Sequence, residues 1–136
     1  MLIPDNINDF NSQGEKLLYL KFKHEDTDDL FILHSLFTNY HFRSISGELD
    51  FLILVPGKGI FAIEVKHGQV LRKDGYWYYA NKKGEISKQS HGPFVQVNAT
   101  MHSIRKYILD KIKNDKNKYD RYKKILWGTA FACIDT

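Results

Sequence analysis

Apolar residues along this chain follow two spacings. From Phe94 to Lys113 they fall at Phe94, Val97, Met101, Ile104, Ile108 and Ile112. Steps of three and four predict a helix, and Gly92-Pro93 ahead of it suits a first turn. Two other stretches are nearly unbroken apolar runs: Glu48 to Val55, interrupted at Asp50, and Ile60 to Lys66. Such runs predict central strands buried on both faces. Pro56-Gly57-Lys58-Gly59 between them is a turn signal, so the pair is expected to form an antiparallel hairpin.

The remaining elements are read the same way. A first helix is expected from Ile7 to Phe22, capped by Asn8 or Asp9. Gly14 inside it costs about 1 kcal/mol relative to alanine, and close approach to a strand is the simplest reason for it. Leu30 to Tyr40 and Ile125 to Ile134 are expected strands. Asp74-Gly75 and Lys83-Gly84 flank Tyr76-Trp77-Tyr78-Tyr79, which predicts short strands at the edge of the sheet. A polar, lysine-rich loop is expected after the second helix. There is no internal repeat.

Composition narrows the class. The 136 residues suit one domain with a core that needs no disulfide. The single cysteine, Cys133, lies in an apolar run and is expected to be a buried small hydrophobe in a reducing compartment. No segment has the length of a membrane span and the N-terminus lacks a signal-peptide pattern, so the expected location is cytoplasmic. The net charge of +4 suits a polyanionic partner without requiring one. The chain stops at Thr136, directly after a strand-like run, which points to the N-terminal part of a longer polypeptide.

Candidate chemistry sits on the hairpin. Strand side chains alternate, so Phe61, Ile63 and Val65 share one face while Ala62, Glu64 and Lys66 share the other. A carboxylate and an ammonium thus project side by side from an apolar strand, a costly arrangement unless they are paired or bind a metal. Asp50 interrupts the neighbouring apolar run. If its register brings it beside Glu64, two carboxylates and a lysine converge, and hard oxygen donors suit Mg²⁺ or Mn²⁺. Asp50, Glu64 and the main-chain carbonyl of Val65 are the candidate metal ligands, with Lys66 placed to orient water or stabilise phosphorane charge. Glu15 on the first helix can complete the metal shell or hold a second ion. The competing reading of Glu64 and Lys66 alone is an ion pair at a sheet edge.

Gly47-Glu48-Leu49-Asp50, followed by Gly59-Ile60-Phe61-Ala62-Ile63-Glu64-Val65-Lys66, resembles the nuclease-related domain family (NERD), a branch of the restriction-endonuclease-like PD-(D/E)xK superfamily. Gly14-Glu15 matches that family's Gly-Glu on its first helix, and Pro93-Phe94-Val95-Gln96 its Pro-x-x-Gln at the second. The resemblance covers nearly the whole chain. It implies a single α/β domain with the core order α-β-β-β-α-β, a mixed central sheet flanked by helices. It also implies Mg²⁺- or Mn²⁺-dependent phosphodiester hydrolysis, with DNA the expected substrate. Carried over by residue, it implies metal ligation by Asp50 and Glu64, a catalytic Lys66, and supporting roles for Glu15 and Gln96. Leu49 stands at the superfamily's proline position, and Thr100 where a tyrosine follows the glutamine in exonuclease-helicase relatives, which weakens the role of Gln96. Relatives are often joined to helicase, kinase or zinc-ribbon segments, which implies a nuclease arm of a DNA-processing or defence enzyme. The alternative on the same fold is an inactive nucleic-acid-binding or docking module.

Other signals are weaker. Lys58 in the turn and Arg105 and Lys106 in a basic stretch running to Lys124 are candidate phosphate contacts, against the reading of a solvated helix end. Tyr76 and Trp77 are candidate base-stacking residues, against the reading of aromatics that pack on the sheet. His67 falls on the face opposite Glu64 and Lys66 and is read as structural. No Walker loop or Gly-x-Gly-x-x-Gly is present.

Overall fold

The computed structural model describes the chain apart from residues 5, 6, 8, 11, 26, 27, 38–47, 82, 135 and 136, and apart from the side chains of residues 36, 37 and 48. The elements are β1 (Leu2–Ile3), α1 (Gln13–His24), β2 (Phe31–Phe37), β3 (Glu48–Val55), β4 (Gly59–His67), β5 (Gln69–Lys73), β6 (Tyr76–Ala80), β7 (Ile86–Gln89), α2 (Pro93–Ile112), α3 (Lys116–Lys123) and β8 (Trp127–Ile134). The expected order of helix, three strands, helix and strand is realised as α1, β2, β3, β4, α2 and β8. This is the mixed α/β architecture of the restriction-endonuclease-like class.

The main sheet has the order β1-β2-β3-β4-β8. β2, β3 and β4 are antiparallel neighbours, while β1 and β8 join in parallel. The apolar runs of β3 and β4 are explained by cover on both faces. On one side α2 packs Val97, Met101 and Ile104 onto Leu49, Leu52 and Ala62. On the other, Tyr19 of α1 packs with Leu2, Ile32, Phe51 and Val65.

Helix α1 starts later than the sequence suggests. Its cap is Ser12, whose hydroxyl accepts the Glu15 N–H at 3.1 Å, and not Asp9; Asn8 lies outside the described residues. Gly14 has the expected packing reason. A Cβ there would stand 3.0 Å from His67 Cβ and 3.3 Å from its Cα, so only glycine lets α1 lie this close to β4.

Two expectations need correction. The tyrosine-rich segment does not extend the main sheet: β5, β6 and β7 form a separate antiparallel sheet. It departs from β4 at Gly68, whose φ is +101° and whose Cβ would strike the Ala80 carbonyl. The lysine-rich stretch after α2 is not wholly loop but contains α3, capped by Asp115, which accepts the Lys118 N–H at 3.1 Å. Acidic caps and terminal Lys and Arg favour a helix that has no apolar stripe to announce it.

Candidate active site

The site begins with an irregularity in β3. Regular alternation would place Leu49 and Phe51 on one face. They bury on opposite sides instead, Leu49 under α2 and Phe51 under α1. The β2–β3 register pairs His34 with Phe51 and Leu36 with Leu49 but has no pairing for Ser35 and Asp50. Ser35 has φ of +60°, which non-glycine residues rarely adopt. The two strands are thus distorted at one level, and such distortions re-aim side chains.

Asp50 is re-aimed toward β4. Amides at even positions of β4 face β8, as the bonds from Ile60 N to the Leu126 carbonyl and from Gly68 N to the Ile134 carbonyl show. Odd-numbered amides therefore face β3. The β3–β4 ladder ends at Phe51 and Ile63, and its next acceptor for the Val65 N–H would be the Leu49 carbonyl. Asp50 Oδ2 takes that N–H at 2.7 Å. A residue's N–H and C=O point the same way along a strand, so the Val65 carbonyl also faces the gap between β3 and β4. The Asp50 carboxylate therefore abuts the peptide that joins Glu64 to Val65.

Glu64 and Lys66 lie on the α2 side, in line with Ala62. Lys66 Nζ is 3.1 Å from Glu64 Oε1, with the Glu64 side chain nearly buried and Lys66 partly exposed. In register beside Glu64 on β8 is Phe131, covered by Phe94 at the start of α2 and by Trp77 of β6. Tyr79 closes this end: Lys66 Nζ lies 5.6 Å from its ring centroid. Burial pushes the Tyr79 phenol above its ordinary range; Lys66 opposes the shift and Glu64 adds to it. Tyr79 belongs to the aromatic run that sequence reading noticed, but Tyr76 and Trp77 were singled out within it. Its parity with Trp77 was the available clue.

The other candidates are placed as follows. Glu15 is buried on the α1 side, where Oε2 lies 2.8 Å from His34 Nε2. That pairing, a role the sequence did not suggest, gives Glu15 a structural task apart from any metal. Gln96 is exposed on α2, its carbonyl accepting from the buried Thr100 hydroxyl at 3.0 Å. His67 is on the α1 side against Gly14, as expected. Cys133 is exposed, contrary to expectation, and its thiol donates to the Gly68 carbonyl at 3.1 Å. Trp77 packs on Phe131 and fills the space beside Gly92, so it is not free to stack on bases. Tyr76 is exposed.

Lys58 and Arg105 are not gathered at this site. Together with Lys124, Leu109 and Trp127 they line a cavity of about 630 Å³ around the β3–β4 turn. Seven strand steps from Gly59 to Lys66 put that turn about 23 Å from Lys66. Arg105 Nη2 is also tied to the Lys123 carbonyl at 3.3 Å. Lys106 is exposed on α2.

Among the described residues, no group of three or more His, Cys, Asp or Glu side chains is disposed to hold a metal ion. The candidate donors are the Asp50 carboxylate and the Val65 carbonyl, which face the gap between β3 and β4, and the Glu64 carboxylate on the α2 side. That set fits a hard cation of the Mg²⁺ type, which is commonly held through one or two carboxylates and completes its shell with water and phosphate oxygens. It does not fit a softer ion that seeks imidazole or thiolate.

The family model described as nuclease-related domain (NERD) matches residues 11–126, which span α1, the β2–β4 strands, the second sheet, α2 and α3. No curated protein and no solved structure gave a match. With a distorted β3 presenting Asp50 to the Glu64–Val65 peptide and most of its length matched, the chain belongs to the nuclease-related domain family.

Proposed function

We propose that this protein is a divalent-metal-dependent nuclease that hydrolyses phosphodiester bonds, with DNA as substrate. One observation carries the reading: Asp50 replaces a strand-ladder acceptor and sets its carboxylate against the Glu64–Val65 peptide, beside the Glu64–Lys66 pair. Asp50, Glu64 and the Val65 carbonyl would hold Mg²⁺ or Mn²⁺. The bound ion supplies charge neutralisation at the phosphate and a more acidic water.

The chain's own groups have separate tasks. Glu64 holds the Lys66 ammonium at 3.1 Å, so this cation is positioned before substrate arrives. Lys66 then faces the negative charge that builds on the phosphoryl oxygens, and its N–H groups orient the attacking water. Tyr79 walls the ammonium from solvent on one side, which strengthens its field at the phosphate. Glu15 acts through the fold, by fixing α1 to β2 through His34. Gln96, exposed one turn into α2, would contact substrate. The wider setting belongs to the same proposal: a cytoplasmic nuclease arm, joined to a helicase or another segment, in a DNA-processing or defence enzyme.

The test combines metal uptake with cleavage. Calorimetric titration with Mn²⁺ and incubation of labelled DNA with Mg²⁺ or Mn²⁺ should show uptake and metal-dependent cleavage. Glu64→Ala and Lys66→Ala should abolish cleavage while circular dichroism stays unchanged. Absence of Mn²⁺ uptake by the intact protein would defeat the proposal. Salt-sensitive DNA binding without cleavage under either metal would establish the inactive binding module instead.

A further inference from the structure

The second sheet sorts its aromatic residues by parity. Register places Trp77 between Arg72 and Gln89, and Tyr79 between Val70 and Ser87; these face the body of the protein, on Phe131 and Lys66. The outer face therefore carries Gln69, Leu71 and Lys73 from β5, Tyr76, Tyr78 and Ala80 from β6, and Ile86 and Lys88 from β7. Leu71 is 59% exposed, Tyr76 41% and Ile86 70%. An apolar face so open on a short sheet marks an interaction surface.

Its charge is one-sided. Lys73 stands across from Tyr76, and Lys88 across from Tyr78 with Nζ 4.0 Å from the Tyr76 ring centroid. No Asp or Glu occupies the outer positions of these three strands. The nearby acids lie off the strands: Glu85, engaged by the Asn81 side chain at 2.8 Å, and Asp74, exposed in the β5–β6 turn. Rings interleaved with ammonium groups suit a polymer that offers flat bases and anionic linkages. Tyr76 and Tyr78 are separated by about 6.8 Å along the strand. That is about twice the 3.4 Å rise per nucleotide of a duplex strand, so one base per ring requires bases that are unstacked.

We propose that the outer face of β5–β7 is a platform for single-stranded nucleic acid, with Tyr76 and Tyr78 stacking on bases and Lys73 and Lys88 holding phosphates. The choice of polymer rests on the nuclease reading above. The platform adds its substrate class: an unpaired segment lies on the outer face of the sheet whose inner face presents Tyr79 to Lys66. The platform is also separate from the reaction centre, so binding and cleavage can be broken independently.

The test measures fluorescence anisotropy of fluorescein-labelled oligothymidylate and of a duplex of equal length, using Glu64→Ala protein so that no cleavage intervenes. The single strand should bind at least tenfold more tightly than the duplex. Tyr76→Ala with Tyr78→Ala should weaken single-strand binding at least tenfold, and Phe at both positions should restore it, since stacking needs the ring and not the hydroxyl. Lys73→Glu with Lys88→Glu should reduce the slope of log affinity against log salt by about 1.4, the value for two lost single-strand phosphate contacts. Near-ultraviolet circular dichroism of the Trp77–Phe131 packing checks that each variant is folded. Equal affinity for duplex, or alanine variants that bind as the parent does, overturns the platform. So does self-association through this face in sedimentation, if Leu71→Asp with Ile86→Asp abolishes it. Metal-dependent cleavage without single-strand binding removes the platform and leaves the nuclease; platform-dependent binding without cleavage by the unsubstituted protein does the reverse.

Discussion

Asp50 and Val65 are joined by a side-chain-to-backbone bond where the sheet would ordinarily place a backbone-to-backbone one, with Oδ2 accepting the Val65 N–H at 2.7 Å. One carboxylate thus closes the end of the β3–β4 ladder and occupies the proposed metal gap. The two roles are separable. Asp50→Asn keeps an oxygen acceptor and should leave stability within about 1 kcal/mol, whereas Asp50→Ala strands the amide and should cost about 1–3 kcal/mol. Both should lose cleavage. Urea unfolding beside a cleavage assay reads the difference, and an active Asp50→Asn protein would remove Asp50 from the reaction.

Glu15 is expected to matter for folding before it matters for chemistry. Its carboxylate and the His34 ring are paired at 2.8 Å and almost fully buried. Glu15→Ala leaves the ring without this partner and should destabilise the protein by about 1–3 kcal/mol, in metal-free buffer as well as with Mg²⁺. Thermal unfolding with and without chelator checks this. A loss seen only with metal present would return Glu15 to the metal shell.

Gly14→Ala sets two effects against each other. Alanine favours the helix by about 1 kcal/mol. Its Cβ would meet His67 Cβ at 3.0 Å and His67 Cα at 3.3 Å, which backbone cannot relieve without a shift of α1. Overpacking of this kind costs about 1–3 kcal/mol, so net destabilisation is expected. Denaturant midpoints decide the sign.

Tyr79 makes the protein weaker in alkali. Its phenol is raised above the ordinary value of 10.0, chiefly by burial. The folded state keeps that proton at a pH where the unfolded chain has released it. The resulting stability is complete below about pH 10 and is lost as pH rises through the folded value. Tyr79→Phe removes this contribution, so the gap in unfolding free energy between the two proteins should change above pH 10 and stay constant below it. Parallel curves across that range would show that Tyr79 does not titrate as described.

Much of the fold was legible because its cause is local. The largely apolar runs of β3 and β4, the turn at Pro56–Gly59 and the three-and-four spacing of α2 each state their burial in the order of residues. Helix α3 was missed because it buries nothing and carries no apolar stripe to read. The residue types of the centre were legible too, since Asp50, Glu64 and Lys66 stand out against apolar neighbours.

Their arrangement was settled elsewhere. Alternation alone assigns Asp50 to a face of the sheet, but the distortion at Ser35 and Asp50 turns it toward β4. That turn depends on β2, β3 and β4 lying together, a relation between residues 15 and 30 positions apart that no periodicity encodes. The pairing of Glu15 with His34, the closeness of Tyr79 to Lys66 and the removal of Lys58 to the far end of β4 are of the same kind. Sequence determined which groups must be buried or charged, because that follows from each residue's transfer between water and protein. Tertiary structure decided which of them meet, because contact distances are fixed only when separate strands and helices pack.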